Sequence, residues 1–239
     1  MTSAFRHEIL AISPARSNAE LVRNCAHLGY LTHSMHTLDP TYGRAGAMWK
    51  LWRPDHLVAC DADPALSPIG FPVDFTELPW PATFDAVLLD PPYKLNGTGG
   101  SHESDDRYGV AERGVSWQAR HRLIAAGIAE AARVLVRGGT LLVKCQDQVC
   151  GGAVRWQTRE FADVAERHGC TLIDALHLVG HRPQPEWQTC RRCKGTGLEK
   201  LRIHPVCQSC NGAGRFRPTQ QHAARNYSTL LVARKARRP

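Results

Sequence analysis

The run FDAVLLDPPYKLNG, Phe84–Gly97, ends an apolar strand at a carboxylate and follows it with two prolines and an aromatic ring. Val87, Leu88 and Leu89 read as a strand buried on both faces. Neither Pro91 nor Pro92 has an N–H for a sheet ladder, so a stiff turn must form at the strand's carboxyl end. That turn would hold Asp90 and Tyr93 at the edge where open α/β sheets bind ligands. Upstream, three more acidic positions follow candidate strands: Asp39, Asp61 with Asp63, and Asp74. Gly43 and Gly46 follow Asp39 in a turn. Acids in this order, with a glycine turn after the first, suit a nucleoside cofactor. Glycines let the backbone approach the ligand, and an acid after the second strand can hold ribose hydroxyls.

A second chemistry lies near the C-terminus. CRRCKGTG starts at Cys190 and CQSCNGAG at Cys207, so C-x-x-C-x-G-x-G occurs twice, with 13 residues between the pairs. Cys190, Cys193, Cys207 and Cys210 form two knuckles suited to a closed, structural tetrahedral zinc site, with iron–sulfur ligation and a redox dithiol as the alternatives. Such a metal would fold a segment too short to build its own core. Cys60 and Cys145 lie in strands and read as small buried hydrophobes.

Charge divides the chain. From Gly180 onward there are thirteen Lys or Arg and two acids; the preceding 179 residues hold seventeen and twenty. The whole +8 excess therefore comes from the last quarter, which points to a polyanion, nucleic acid first. Arg191, Arg192, Lys194, Arg215 and Arg217 around the cysteines are candidate phosphate contacts. No apolar run is long enough to span a membrane, and the N-terminus has no apolar signal core, so a cytoplasmic protein without membrane partners is expected.

The elements that must position these groups alternate. Strands are expected at His33–Leu38, 56–60, 71–75, 84–90, 140–146, 171–179 and 227–234, and helices at 117–136 and 159–169. GAMWKLW can start a helix after the glycine turn. This α/β order implies a seven-stranded, mostly parallel sheet with helices on both faces. No helical pattern separates the last two strands. They read as an antiparallel pair carrying the cysteine segment as an insertion. The expected division is 1–184 with 216–239 as the body and 185–215 as the zinc-binding insertion. Residues 95–110 read as a loop beside the diproline turn.

The series LDPTYGRAG, ACDADP, VDF and LLDPPY resembles the class I S-adenosylmethionine-dependent methyltransferases. More narrowly, it resembles the DNA amino-methyltransferases that act on adenine N6 or cytosine N4. The resemblance covers about Ser34–Lys144 and, loosely, the final strand. Its glycine spacing is G-x-x-G rather than the family's G-x-G. It implies a Rossmann-like fold with the last strand antiparallel. It also implies that Asp39, Pro40, Gly43, Gly46, Asp61, Asp63, Asp74 and Phe75 hold S-adenosylmethionine. Asp61 is the first choice for the ribose, and Asp74 with Phe75 for the adenine. Asp90, Pro91, Pro92 and Tyr93 become catalytic. The Asp90 carboxylate and the Pro91 carbonyl accept from the target NH₂, and Tyr93 stacks on the base. Asp rather than Ser at the head of the motif favours adenine. Such a base must be flipped out or single-stranded, and Arg107 and Tyr108 become contacts to the nucleic acid. The cysteine repeat is similar to the zinc-binding region of DnaJ-type co-chaperones over about 25 residues.

The leading expectation is thus methyl transfer to an amino group in DNA. Alternatives are methylation of an rRNA or tRNA base, a non-catalytic zinc-bearing nucleic-acid-binding protein and, on the cysteine repeat alone, a chaperone accessory.

Overall fold

The structure is a computed structural model and describes residues 15–95, 116–180, 187–198, 206–216 and 227–237. The chain divides into two compact units: Met1–Gly180 with Asn226–Pro239, and His181–Arg225. Expectations for Arg107, Tyr108, Arg217 and most of the 95–110 loop fall outside the described residues.

The larger unit is built on a six-stranded sheet. Its strands are β1 (His36–Asp39), β2 (His56–Ala59), β3 (Phe84–Leu89), β4 (Leu135–Cys145), β7 (Cys170–Val179) and β10 (Tyr227–Lys235). They lie in the order β2-β1-β3-β4-β10-β7, with β10 antiparallel to both of its neighbours and the other pairings parallel. The antiparallel pair β7 and β10 was legible in the sequence.

The expected strand at 71–75 does not form. Pro72 has no N–H for a ladder, and Phe71 is half-exposed. One hydrogen bond, from Val73 N to the Asp61 carbonyl at 2.9 Å, docks this stretch beside the end of β2.

Alternation along the strands loads both faces of the sheet. Val87, Leu89, Leu141, Val143 and Leu231 face one cluster with Ile124, Ile128 and Phe161. Those three come from helices α2 (Trp117–Val134) and α3 (Gln157–Arg167). Ala86, Leu88, Leu142, Leu230 and Val232 face the other cluster, with Leu21, Val22, Cys25, Met48 and Trp49. The first three of these belong to helix α1 (Asn18–His27), and the last two to a 3₁₀ turn at Arg44–Trp49. Ser17 caps α1 by accepting from Glu20 N at 3.2 Å. α2 ends at Val134, ahead of Arg137-Gly138-Gly139, because β4 already begins at Leu135. A short hairpin of β5 (Gln148–Cys150) and β6 (Ala153–Arg155) precedes α3.

The smaller unit contains β8 (Gln188–Thr189) paired with β9 (Arg215–Phe216). Its two cysteine repeats are related by a local pseudo-dyad. Cys190 N donates to the Gly214 carbonyl and Cys207 N to the Gly197 carbonyl, both at 2.8 Å. Gly197 and Gly214 have φ of +74° and +68°, and a Cβ on either would collide with a carbonyl of the other repeat, that of Gly212 or Gly195. Only glycine meets both demands.

Candidate active site and candidate metal centre

β1 and β3 are parallel neighbours, so their carboxyl ends bring Asp39 and Asp90 together. Thr41 bridges them. Its hydroxyl donates to Asp39 Oδ1 at 3.2 Å and accepts from Asp90 N at 2.8 Å. The diproline corner is thereby fixed against the start of the glycine turn.

Asp39 is fully buried. Its carboxylate accepts from Thr41 N at 3.0 Å and from Trp49 Nε1 at 2.7 Å. Burial pushes its carboxyl up to about 7, against the pull of those hydrogen bonds. Asp39 and the buried Pro40 therefore shape the turn from inside. Gly43 N donates to Asp61 Oδ2 at 2.9 Å, and Tyr42 N donates to the Cys60 carbonyl at 3.1 Å. A Cβ on Gly46, whose φ is +54°, would collide with the Tyr42 ring.

Of the two acids after β2, Asp61 faces the glycine turn. Exposed Asp63 accepts from Ala65 N at 2.9 Å within its own turn. Exposed Asp74 does likewise, accepting from Thr76 N at 2.8 Å and Thr76 Oγ1 at 2.7 Å. Phe75 is buried, its ring directly over Gly127 of α2. Half-buried Asp61 uses one lone pair on each oxygen, for Gly43 N and for Asp63 N at 3.0 Å, and a carboxylate can accept more. The Gly43–Gly46 backbone beside it suits a ribose-bearing cofactor.

At the corner, Pro91 is buried, and Pro92 and Tyr93 are half-buried. Two amides hold the Tyr93 carbonyl: Gln157 Nε2 at 2.8 Å and Gln148 Nε2 at 2.9 Å. Gln148 Oε1 also accepts from Leu95 N at 3.2 Å. Burial pushes the Tyr93 phenol up, against the pull of nearby Lys144 and Ser228. Lys144 Nζ lies 3.6 Å from Asp90 Oδ1 and donates to Asn18 Oδ1 at 2.7 Å.

Sequence reasoning missed Thr41, Gln148, Gln157, Lys144 and Asn18. A signal existed for two of them. Lys144 is a charge inside the apolar run TLLVKC, and Ser17-x-x-Glu20 marks the helix start that carries Asn18.

The cysteine repeats converge. The sulfur atoms of Cys190, Cys193, Cys207 and Cys210 all lie within 4.8 Å of one another. Cys190 and Cys207 are 3.8 Å apart, and Cys193 and Cys210 are 3.6 Å apart. Tetrahedral zinc with bonds of about 2.3 Å spaces its sulfurs about 3.8 Å apart, whereas a disulfide needs about 2.05 Å. The donor set therefore fits a tetrahedral metal. Gly197 N donates to Cys193 Sγ at 3.3 Å. The Cys193 backbone N–H, helped by that of Arg192, pulls the Cys190 thiol down to about 6 against the cost of burial. Arg191, Arg192, Lys194 and Arg215 are exposed, and the Arg215 guanidinium lies 5.0 Å over the Trp187 ring.

No protein-family model matches the chain, nor does any curated protein. Solved structures do. A Bacillus halodurans protein assigned as a methyltransferase is 14% identical, with 90% of this chain covering 99% of that one at a TM-score of 0.50. A Burkholderia thailandensis 1,6-didemethyltoxoflavin N1-methyltransferase, solved with S-adenosylhomocysteine, is 15% identical at a TM-score of 0.45, covering 93% and 80% of the two chains. A Thermus thermophilus protein assigned as a DNA modification methylase, complexed with S-adenosylmethionine, is 15% identical at 0.40, covering 85% and 58%. No helix among the described residues is long and apolar enough to cross a membrane. Sheet order and the reversed strand give this chain a Rossmann-like fold, which it shares with the Bacillus halodurans structure.

Proposed function

We propose that the chain transfers a methyl group from S-adenosylmethionine to an exocyclic amino group of a base in DNA, with adenine N6 as the target. One observation carries this reading: the Thr41 hydroxyl ties Asp90 N to the Asp39 turn, so a corner of amine acceptors adjoins a nucleoside-type cofactor turn. Bound S-adenosylmethionine supplies an electrophilic methyl group on a sulfonium.

This chain's residues do the rest. The Gly43–Gly46 backbone and Asp61 hold the cofactor, with Asp63, Asp74 and Phe75 as its outer contacts. Asp39 and Pro40 hold the turn. The Asp90 carboxylate and the Pro91 carbonyl accept from the two N–H bonds of the target amine. They draw its lone pair out of the ring and meet the positive charge that develops on nitrogen. Pro92 stiffens the corner, and Tyr93 offers a ring face to the base. Most of the rate then comes from positioning.

In this reading 1–184 with 216–239 is the methyltransferase domain, and 185–215 is an insertion folded by zinc on Cys190, Cys193, Cys207 and Cys210. Arg191, Arg192, Lys194, Arg215 and Arg217, with Arg107 and Tyr108, contact the nucleic acid. The net charge of +8 is consistent with that partner.

The test is transfer from labelled S-adenosylmethionine to unmethylated DNA and to rRNA and tRNA, followed by mass spectrometry of the nucleosides. N6-methyladenine in DNA is expected, with transfer lost and cofactor affinity kept in Asp90→Ala. Label in RNA alone would move the substrate to RNA. Absence of cofactor binding by calorimetry would end the enzymatic reading.

A further inference from the structure

Lys144 occupies a place where a lysine is costly. It lies in the interior strand β4, and its side chain is only 4% exposed. A buried ammonium costs several kcal/mol unless partners repay the lost hydration. Here it has three. Nζ donates to Asn18 Oδ1 at 2.7 Å, lies 3.6 Å from Asp90 Oδ1, and stands 5.3 Å from the centroid of the Tyr93 ring. Asn18 takes one N–H of the ammonium as a hydrogen bond, and the Asp90 carboxylate and the Tyr93 ring attract the remaining charge. Burial works against the charge, but Asp90 and Tyr93 outweigh it and hold the group above its usual range, so it stays an ammonium at neutral pH.

We propose that Lys144, anchored by Asn18 of α1, is the positioning residue of the diproline corner, fixing the Asp90 carboxylate and the Tyr93 ring in one mutual arrangement. With Lys144 on Oδ1, Asp90 presents Oδ2 to the substrate N–H. With Lys144 beside the hydroxyl end of the Tyr93 ring, the ring is held in one orientation and keeps a face for the base. Lys144 itself touches neither substrate nor methyl group. Its effect passes through Asp90 and Tyr93, and the inference rests on reading Asp90 as the amine acceptor.

The experiment compares full-length wild type with Lys144→Met, Lys144→Arg, Asn18→Ala, Asp90→Ala and the Lys144→Met/Asp90→Ala pair. The readouts are turnover on unmethylated DNA, cofactor Kd by calorimetry and thermal unfolding. Met keeps length and stem and removes charge and donors. Turnover in Lys144→Met should fall about 100-fold, the scale of a 1 Å misplacement of a reacting group. Its cofactor Kd should stay within about threefold of wild type. Lys144→Arg should recover part of the loss, and Asn18→Ala should lose less. The double variant should be no slower than Asp90→Ala alone.

A readout independent of turnover is the ¹³C-tyrosine spectrum of cofactor-free protein. The resonance assigned through Tyr93→Phe should move in Lys144→Met. Wild-type turnover in Lys144→Met beside an inactive Asp90→Ala, or an unmoved Tyr93 resonance, overturns the inference. If Lys144→Met does not fold, Asn18→Ala carries both comparisons by the same criteria. Wild-type turnover in Asp90→Ala instead overturns the acceptor reading, and this inference with it; that outcome is seen without any Lys144 variant.

Discussion

The Thr41 hydroxyl accepts from Asp90 N at 2.8 Å while donating to Asp39 Oδ1 at 3.2 Å, so one side chain spans the ends of two strands. Thr41→Val keeps the shape and removes both bonds. An unsatisfied buried N–H costs about 1–3 kcal/mol. Stability in urea should fall by that amount in Thr41→Val and by much less in Thr41→Ser, which keeps the oxygen. Turnover should follow the same order. Equal denaturation midpoints for Val and wild type would remove the bridge from the account.

Asp39 makes stability depend on pH with an unusual sign for a carboxylate. Its usual pKa of 3.8 is pushed up to about 7 in the fold. Between those values the native state binds the proton more strongly than the unfolded chain does. The group therefore favours folding at acid pH, and that contribution is lost as pH rises through 4 to 7. Asp39→Asn cannot titrate. The difference in melting temperature, wild type minus Asp39→Asn, should decline from pH 4.5 to pH 7.5. A flat difference would mean that Asp39 keeps an ordinary pKa.

Gly127 sits inside α2 with the Phe75 ring directly over it. On an open helix face Gly→Ala gains about 1 kcal/mol. Here a methyl group would collide with a buried ring, and overpacking costs about 1–3 kcal/mol. Gly127→Ala should therefore lower the melting temperature by a few degrees. Pairing it with Phe75→Leu, which makes room, should recover part of the loss.

Gly197→Ala places a Cβ against the Gly212 carbonyl at a φ of +74°. The two repeats would be forced apart. Zinc, measured by mass spectrometry of the purified protein, should fall well below one equivalent. The metal should also be removed from wild type by chelation, with loss of structure confined to the His181–Arg225 unit. A full equivalent of zinc in Gly197→Ala would show that the pseudo-dyad is not needed to gather the sulfurs.

Legibility in the sequence followed the strength of local signals. FDAVLLD is apolar on both faces and bounded by prolines, so β3 and its corner were readable. The paired C-x-x-C-x-G-x-G units were readable as a place where four sulfurs converge, because the repeat fixes both cysteine spacing and turn glycines. The stretch at 71–75 read as a strand because Phe71, Val73 and Phe75 alternate. In the fold only Val73 and Phe75 are buried, and Pro72 denies the ladder. Thr41, Gln148 and Gln157 were invisible for another reason, and the buried charge of Lys144 was readable only without its partners. Each acts through a partner far along the chain, as Gln157 does on the Tyr93 carbonyl, and no local pattern encodes such a pairing. Choosing Asp61 over Asp63 likewise needed the direction of one carboxylate toward Gly43.

The chain leaves the large sheet at Val179 and rejoins it at Tyr227, and these two residues face each other in the β7–β10 register. Their backbones are thus already at hairpin distance. A two-residue Asn-Gly link is the connection that this register admits in place of residues 180–226. Excision would leave a minimal body, on which the cost of losing the cysteine segment could be weighed separately for cofactor affinity and for grip on a polynucleotide.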